Sequence, residues 1–127
     1  MDRKLISSAS PYEKTFGFSR AVRVDNNISV SGTGPIGVDG NTVGDDAYTQ
    51  AVRCLEIIKK AIEDSGGKIE DVIRTRMYIT DASVQEEVGR AHGEFFKDIR
   101  PAATMVVVAG LVRDEWYVEI EAEALID

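Results

Sequence analysis

The 127 residues hold a single cysteine, Cys54, and a single histidine, His92. One thiol closes no intrachain disulfide, and a chain without disulfides is expected in a reducing cytoplasm. One imidazole with no Cys or His cluster around it makes no metal site, so no metal and no cofactor are expected. Positive charge is scarce as well: 15 Lys and Arg stand against 22 Asp and Glu, a net charge of −7. Nucleic-acid binding needs a concentrated basic face, so a phosphate-backbone partner is disfavoured, and an anionic membrane surface with it. No apolar run approaches the roughly 20 residues that span a bilayer. The opening "MDRKLISSASPYEK" lacks the apolar core of a signal peptide. Repeats, low-complexity tracts and linkers are missing too. Residues 1–127 therefore read as one cytoplasmic domain, large enough for a core without disulfide or metal.

What is present is regular patterning. "FSRAVRVDNNISVSG" (18–32) reads as two strands around Asp25-Asn26-Asn27, residues that tolerate left-handed backbone. "GTGPIGVDGNTVG" (32–44), with five glycines, is a loop. Ala47, Ala51, Cys54, Leu55, Ile58, Ala61 and Ile62 recur at helical spacing between Asp45 and about Ser65, with Gly66-Gly67 as the stop. "DVIRTRMYIT" (71–80) is a strand with Ile73, Thr75, Met77 and Ile79 on one face and Arg74, Arg76 and Tyr78 on the other. Ser83-x-x-Glu86 has the form of a capping box opening a second helix, with Val84, Val88, Ala91 and Phe95 as its buried stripe. Strands at 103–109 and 117–125 complete the order ββ–α–β–α–ββ. Two helices cover only one face of such a sheet. The other face is expected to carry Met105, Val107, Phe18 and Val22, too apolar to leave wet, which predicts a homo-oligomer.

The residues by themselves give no reaction. The glycine loop has no Gly-Lys-Ser/Thr, so it is no phosphate loop. His92 reads as a surface or half-buried helical histidine. Ser31, at a strand end with no histidine partner nearby in sequence, is a poor triad nucleophile but is placed to orient a ligand. Glu119, Glu121 and Glu123 read as a solvated strand face, or as an ion-pair ladder with Arg74 and Arg76, ahead of catalysis.

"RPAATMVVVAGL" followed by "VEIEAEA" resembles the signature of the RidA/YjgF family, formerly labelled endoribonuclease or translation inhibitor. "VSGTGP" (30–35), "IRTRMYITD" (73–81) and "GEFF" (93–96) match the same family in the same order, and the resemblance runs from about Phe18 to Ala124. It implies a chorismate-mutase-like α+β fold: a mixed sheet covered by two helices on one face, with a trimeric barrel on the other. It further implies a homotrimer with small-molecule pockets in the clefts between subunits. Deaminating members hydrolyse reactive enamines and imines there. An arginine binds the substrate carboxylate, a glutamate positions water, and a serine and an aromatic ring complete the cleft. In this chain the serine falls on Ser31, the ring on Phe18 (usually tyrosine), the glutamate on Glu119, and a frequent cysteine on Met105. The arginine of the family's Pro-Ala-Arg pattern falls on Ala103. Replacing a bidentate arginine by alanine removes a contact worth roughly 1.5–3 kcal/mol per hydrogen bond. Arg74, Arg76 and Arg90 are candidates to replace that charge, Arg90 with His92 two places on. Two hypotheses follow: a small-molecule-binding trimer without 2-aminoacrylate deaminase activity, or an imine or enamine hydrolase on another substrate, using Glu119 and a relocated arginine. A ribonuclease or translation inhibitor is a third, disfavoured by the acidic charge.

Overall fold

The computed structural model describes residues 2–8 and 10–127. Its sheet has six strands in the order β1-β2-β3-β6-β4-β5. They are β1 (Arg3–Ile6), β2 (Ala21–Val24), β3 (Asn27–Thr33), β4 (Val72–Ile79), β5 (Ala102–Val107) and β6 (Val118–Leu125). Only β4 and β5 pair in parallel; the other neighbours are antiparallel. The helices are α1 (Tyr12–Phe16), α2 (Ala47–Asp64) and α3 (Gln85–Phe96). The α+β fold is thus the one expected. From β2 onward the elements follow the order read from the sequence. None of the described helices is long and apolar enough to cross a membrane.

The core lies between the sheet and the helices α2 and α3. The apolar stripe of α2 is buried throughout, and it meets Val118, Ile120, Ala122 and Ala124 of β6, Ile28 and Val30 of β3, and Met77 and Ile79 of β4. Asp46 caps α2 by accepting the Thr49 N–H at 2.7 Å, satisfying one of the helix's unpaired donors. Beyond its other end Gly66 takes φ 95°, which a side chain resists. The tight turn between β2 and β3 likewise places Asp25 at φ 53°.

Several expectations need correction. β1 and α1 were not anticipated, and β1 forms because its backbone pairs with β2 from Arg3↔Val24 to Ile6↔Ala21. Ser83 and Glu86 form no capping box. Asp81 instead accepts the Ser83 N–H at 2.8 Å, a single 3₁₀ turn spans Ala82–Val84, and α3 begins at Gln85. Ile73 sits at a bulge between Val72 and Arg74 and is 51% exposed. Phe96, rather than Phe95, is the fully buried ring of α3. The largest change concerns β5. The pairs Thr75↔Ala103, Met77↔Met105 and Ile79↔Val107 place Met105 and Val107 on the helical side of the sheet, and Met105 packs against the core. The uncovered face receives Ala102, Thr104 and Val106 from β5. Its centre is polar: Arg74, Arg76, Tyr78, Glu119, Glu121 and Glu123. The argument for an oligomer from an apolar sheet face therefore loses its main residues. Both faces of β5 are small or apolar, so alternation could not orient it; pairing with β4 does.

Candidate functional site

On the uncovered face, β6 sets Glu123, Glu121 and Glu119 opposite Arg74, Arg76 and Tyr78 of β4. Arg76 Nη1 lies 3.4 Å from both Glu121 Oε2 and Glu123 Oε2, and the Tyr78 hydroxyl donates to Glu121 Oε1 at 2.6 Å. That bond holds the Tyr78 phenol above its ordinary range. Arg74 turns instead to the Thr104 hydroxyl, 2.6 Å away. The ion-pair ladder expected from alternation thus exists for Glu121 and Glu123. Glu119 is outside it: among the described residues it has no hydrogen-bond or ion-pair partner. Partial burial pushes its carboxyl above the usual carboxylate range, Glu121 adds to the rise, and Arg20 opposes it.

Glu119 has room because residue 32 is glycine. A Cβ at Gly32 would lie 2.3 Å from Glu119 Oε2, so the carboxylate rests where a side chain would be. Arg20 grips the other side of the same residue, with Nη1 donating to Gly32 O at 2.8 Å and reaching the Thr33 hydroxyl at 2.9 Å. The hairpin itself delivers Arg20: its N–H donates to Ile6 O, and its carbonyl accepts from Ser31 N at 2.9 Å. Its guanidinium lies 5.7 Å from the centre of the Phe18 ring, which is 36% exposed. The Ser31 hydroxyl donates to Ser19 O at 2.6 Å and thereby ties the strand leading from Phe18 to Arg20 onto β3. Phe18, Arg20, Ser31, Gly32 and Glu119 therefore form one group at the β2–β3–β6 end of the sheet.

Arg20 was missed in the sequence, although the hairpin centred on Asp25–Asn27 implied that it faces Ser31. Gly34 was missed as well. A Cβ there would lie 2.3–2.7 Å from three carbons of the Trp116 ring, whose Nε1 donates to Thr42 at 3.0 Å. Gln50 pins the same region, donating to Gly44 O and Glu115 O and accepting from Tyr117 N. "SGTGP" thus carries two close approaches, a carboxylate over its first glycine and an indole over its second.

The remaining candidates lie apart from this group. Arg76 is engaged by Glu121 and Glu123. Arg90 stacks on Tyr48 in the helical layer, 4.2 Å from the ring centre, while the Tyr48 hydroxyl donates to Glu94. His92 Nε2 lies 2.8 Å from the buried Thr75 hydroxyl, and burial lowers its pKa. Ala103, opposite Thr75, shares that helical side with Met105. Ala103 and Glu119 therefore occupy opposite faces of the sheet, with β4 between their strands, and do not meet within one chain. Two surface depressions, one lined by Asp2, Arg3, Lys4, Arg23 and Asp25, the other by Thr42, Gly44, Asp45, Asp114, Glu115 and Tyr117, take in none of the candidate residues. No group of three His, Cys, Asp or Glu side chains able to hold a metal ion occurs among the described residues.

The family model described as Endoribonuclease L-PSP matches residues 9–126. This chain belongs to that family, the RidA/YjgF family. It is 37% identical over 119 residues to an uncharacterised protein of Streptomyces coelicolor, covering 94% of this chain and 89% of the relative. A RutC family protein of Pyrococcus abyssi is 33% identical over 109 residues, covering 85% and 84%. Among solved structures, Rv2704 from Mycobacterium tuberculosis, described as a member of the YjgF/YER057c/UK114 family, superposes with a TM-score of 0.91 at 39% identity. That match covers 98% of this chain and all of the other. The RidA/YjgF fold is thus shared across nearly the whole chain.

Proposed function

We propose that this RidA/YjgF domain, residues 1–127, acts as a cytoplasmic homotrimer that binds a small molecule between subunits and does not hydrolyse 2-aminoacrylate. The supporting observation is Glu119: a partly buried carboxylate, without a hydrogen-bond or ion-pair partner among the described residues, resting against Gly32, while its two neighbours on β6 are engaged by Arg76 and Tyr78. A carboxylate held back from its own ladder is available to a ligand. The incomplete cleft supports assembly. β5 is an edge strand with Val106 and Val107 exposed, and Leu5 and Phe16 are exposed among the N-terminal elements. A second copy laying β5 beside the Phe18–Glu119 group would both cover apolar surface and enclose the site.

The deaminase reaction needs the substrate carboxylate held while water adds to the imine carbon and ammonia leaves. In this reading Ala103 supplies no such anchor, and neither Arg76 nor Arg90 takes its place, because each is engaged elsewhere. The test generates 2-aminoacrylate with a serine dehydratase and follows pyruvate release. Addition of this protein is expected to leave the rate unchanged. Ala103→Arg restores a contact of about 1.5–3 kcal/mol, and an acceleration of roughly 10- to 100-fold over the unsubstituted protein is expected if the rest of the cleft is competent. Acceleration by the unsubstituted chain at low concentration would refute the reading, and sedimentation as a monomer at micromolar concentration would refute the trimer.

A further inference from the structure

Arg20 and Glu119 flank one residue without touching each other. Arg20 Nη1 is bound to the Gly32 carbonyl, and Glu119 Oε2 rests against the Gly32 Cα. Each senses the other's charge, yet no ion pair joins them. The rest of Arg20 is uncommitted. Among the described residues only Nη1 makes hydrogen bonds, and no fully buried side-chain nitrogen lacks a partner, so Nε and Nη2 are not sealed from solvent although the residue is half-buried. Those two nitrogens form the side edge of the guanidinium, whose parallel N–H groups match the two oxygens of a carboxylate. Glu13, the other carboxylate near Arg20, does not claim that edge by an ion pair; its Oε2 accepts from Ser8 N at 2.8 Å and the Ser8 hydroxyl at 2.7 Å. The Phe18 ring beside Arg20 supplies an apolar wall.

We propose that Arg20 and Glu119 are the two poles of a zwitterion site for a small α-amino acid with an apolar side chain. The ligand carboxylate binds Arg20 through Nε and Nη2, its ammonium binds Glu119, and its side chain lies against Phe18. This rests on the small-molecule reading above and deepens it: Glu119 is spent as the counter-ion of a tetrahedral ammonium instead of guiding water, so the site binds without hydrolysing. Arg20 lies just before β2 and does not stand where the family's arginine would, at position 103.

The probes are L-proline, L-prolinamide, which lacks the carboxylate, and cyclopentanecarboxylate, which lacks the amine. Each is titrated into the intact oligomer while the Gly32 amide and the Arg20 Nε–H are followed by NMR. L-proline is expected to bind at least roughly 10-fold more tightly than either analogue, the loss of one charge-assisted contact. Arg20→Gln is expected to abolish the preference for proline over prolinamide, whereas Arg20→Lys, which keeps the charge and a donor for Gly32, retains part of it. Equal binding of the three probes overturns the zwitterion assignment while leaving a small-molecule site standing. Equal binding of proline by the unsubstituted protein and Arg20→Gln overturns the role of Arg20. Absence of binding by all three overturns the inference, whereas the deaminase half of the earlier reading is decided separately by the pyruvate assay.

Discussion

Gly32 and Gly34, with one residue between them, should respond differently to the same added methyl. At Gly34 a Cβ would lie 2.3, 2.5 and 2.7 Å from three carbons of the Trp116 ring. That ring is 7% exposed, and displacing it breaks the indole bond to Thr42. Overpacking of this kind costs about 1–3 kcal/mol. The smaller backbone entropy of alanine in the unfolded chain returns roughly 0.4–1 kcal/mol. The net loss for Gly34→Ala is therefore about 1–2 kcal/mol, or a fall in Tm of roughly 3–8 °C for a domain of this size. At Gly32 the neighbour is Glu119 Oε2 at 2.3 Å, the far end of a side chain that can rotate away, and Gly32 is not among the residues at positive φ. Gly32→Ala should therefore melt within roughly 2 °C of the unsubstituted protein while losing ligand binding, because Glu119 is displaced. Melts followed by circular dichroism at one fixed chain concentration give the comparison free of mass action. A Gly34→Ala protein as stable as the parent, or a Gly32→Ala protein as damaged as Gly34→Ala, would refute the close-approach argument.

Two further expectations concern pH. Burial favours the protonated form of Glu119, so its ionisation costs stability as pH rises from the ordinary carboxylate pKa through its raised folded value. Glu119→Gln is expected to be more stable than the parent at pH 7, with the advantage shrinking toward pH 4; an advantage independent of pH in urea melts would contradict this. His92 has the opposite sense. Its folded pKa lies below the ordinary 6.5, so protonation favours the unfolded chain and stability falls as pH drops from 6.5 through the folded value. His92→Gln, which retains a partner for Thr75, should lose that slope, and equal slopes for the two proteins would count against it.

The sequence by itself determined those elements whose side chains must satisfy a period. α2 carries a stripe at three- and four-residue spacing, and β6 alternates apolar and acidic residues, because burying one face leaves no other arrangement of those chains. The family, which the family match bears out, was legible in short motifs, and the expectations for Ser31, Glu119 and Ala103 came from that resemblance and not from any period. Periodicity failed where local pattern is silent. β1 has mostly exposed side chains and exists through pairing with β2. β5 is small or apolar on both faces, so only its register with β4 could tell that Met105 packs on the core.

The site depended most on tertiary structure. Three glutamates at alternate positions look equivalent in the sequence, but Arg76 and Tyr78 one strand away engage two of them and leave Glu119. Arg20 carries no motif of its own. It joins the site because hairpin pairing carries it to Ser31 and its guanidinium finds the Gly32 carbonyl. Periodicity specifies which face a residue takes; only the packed chain decides which charges find partners and which are left without one.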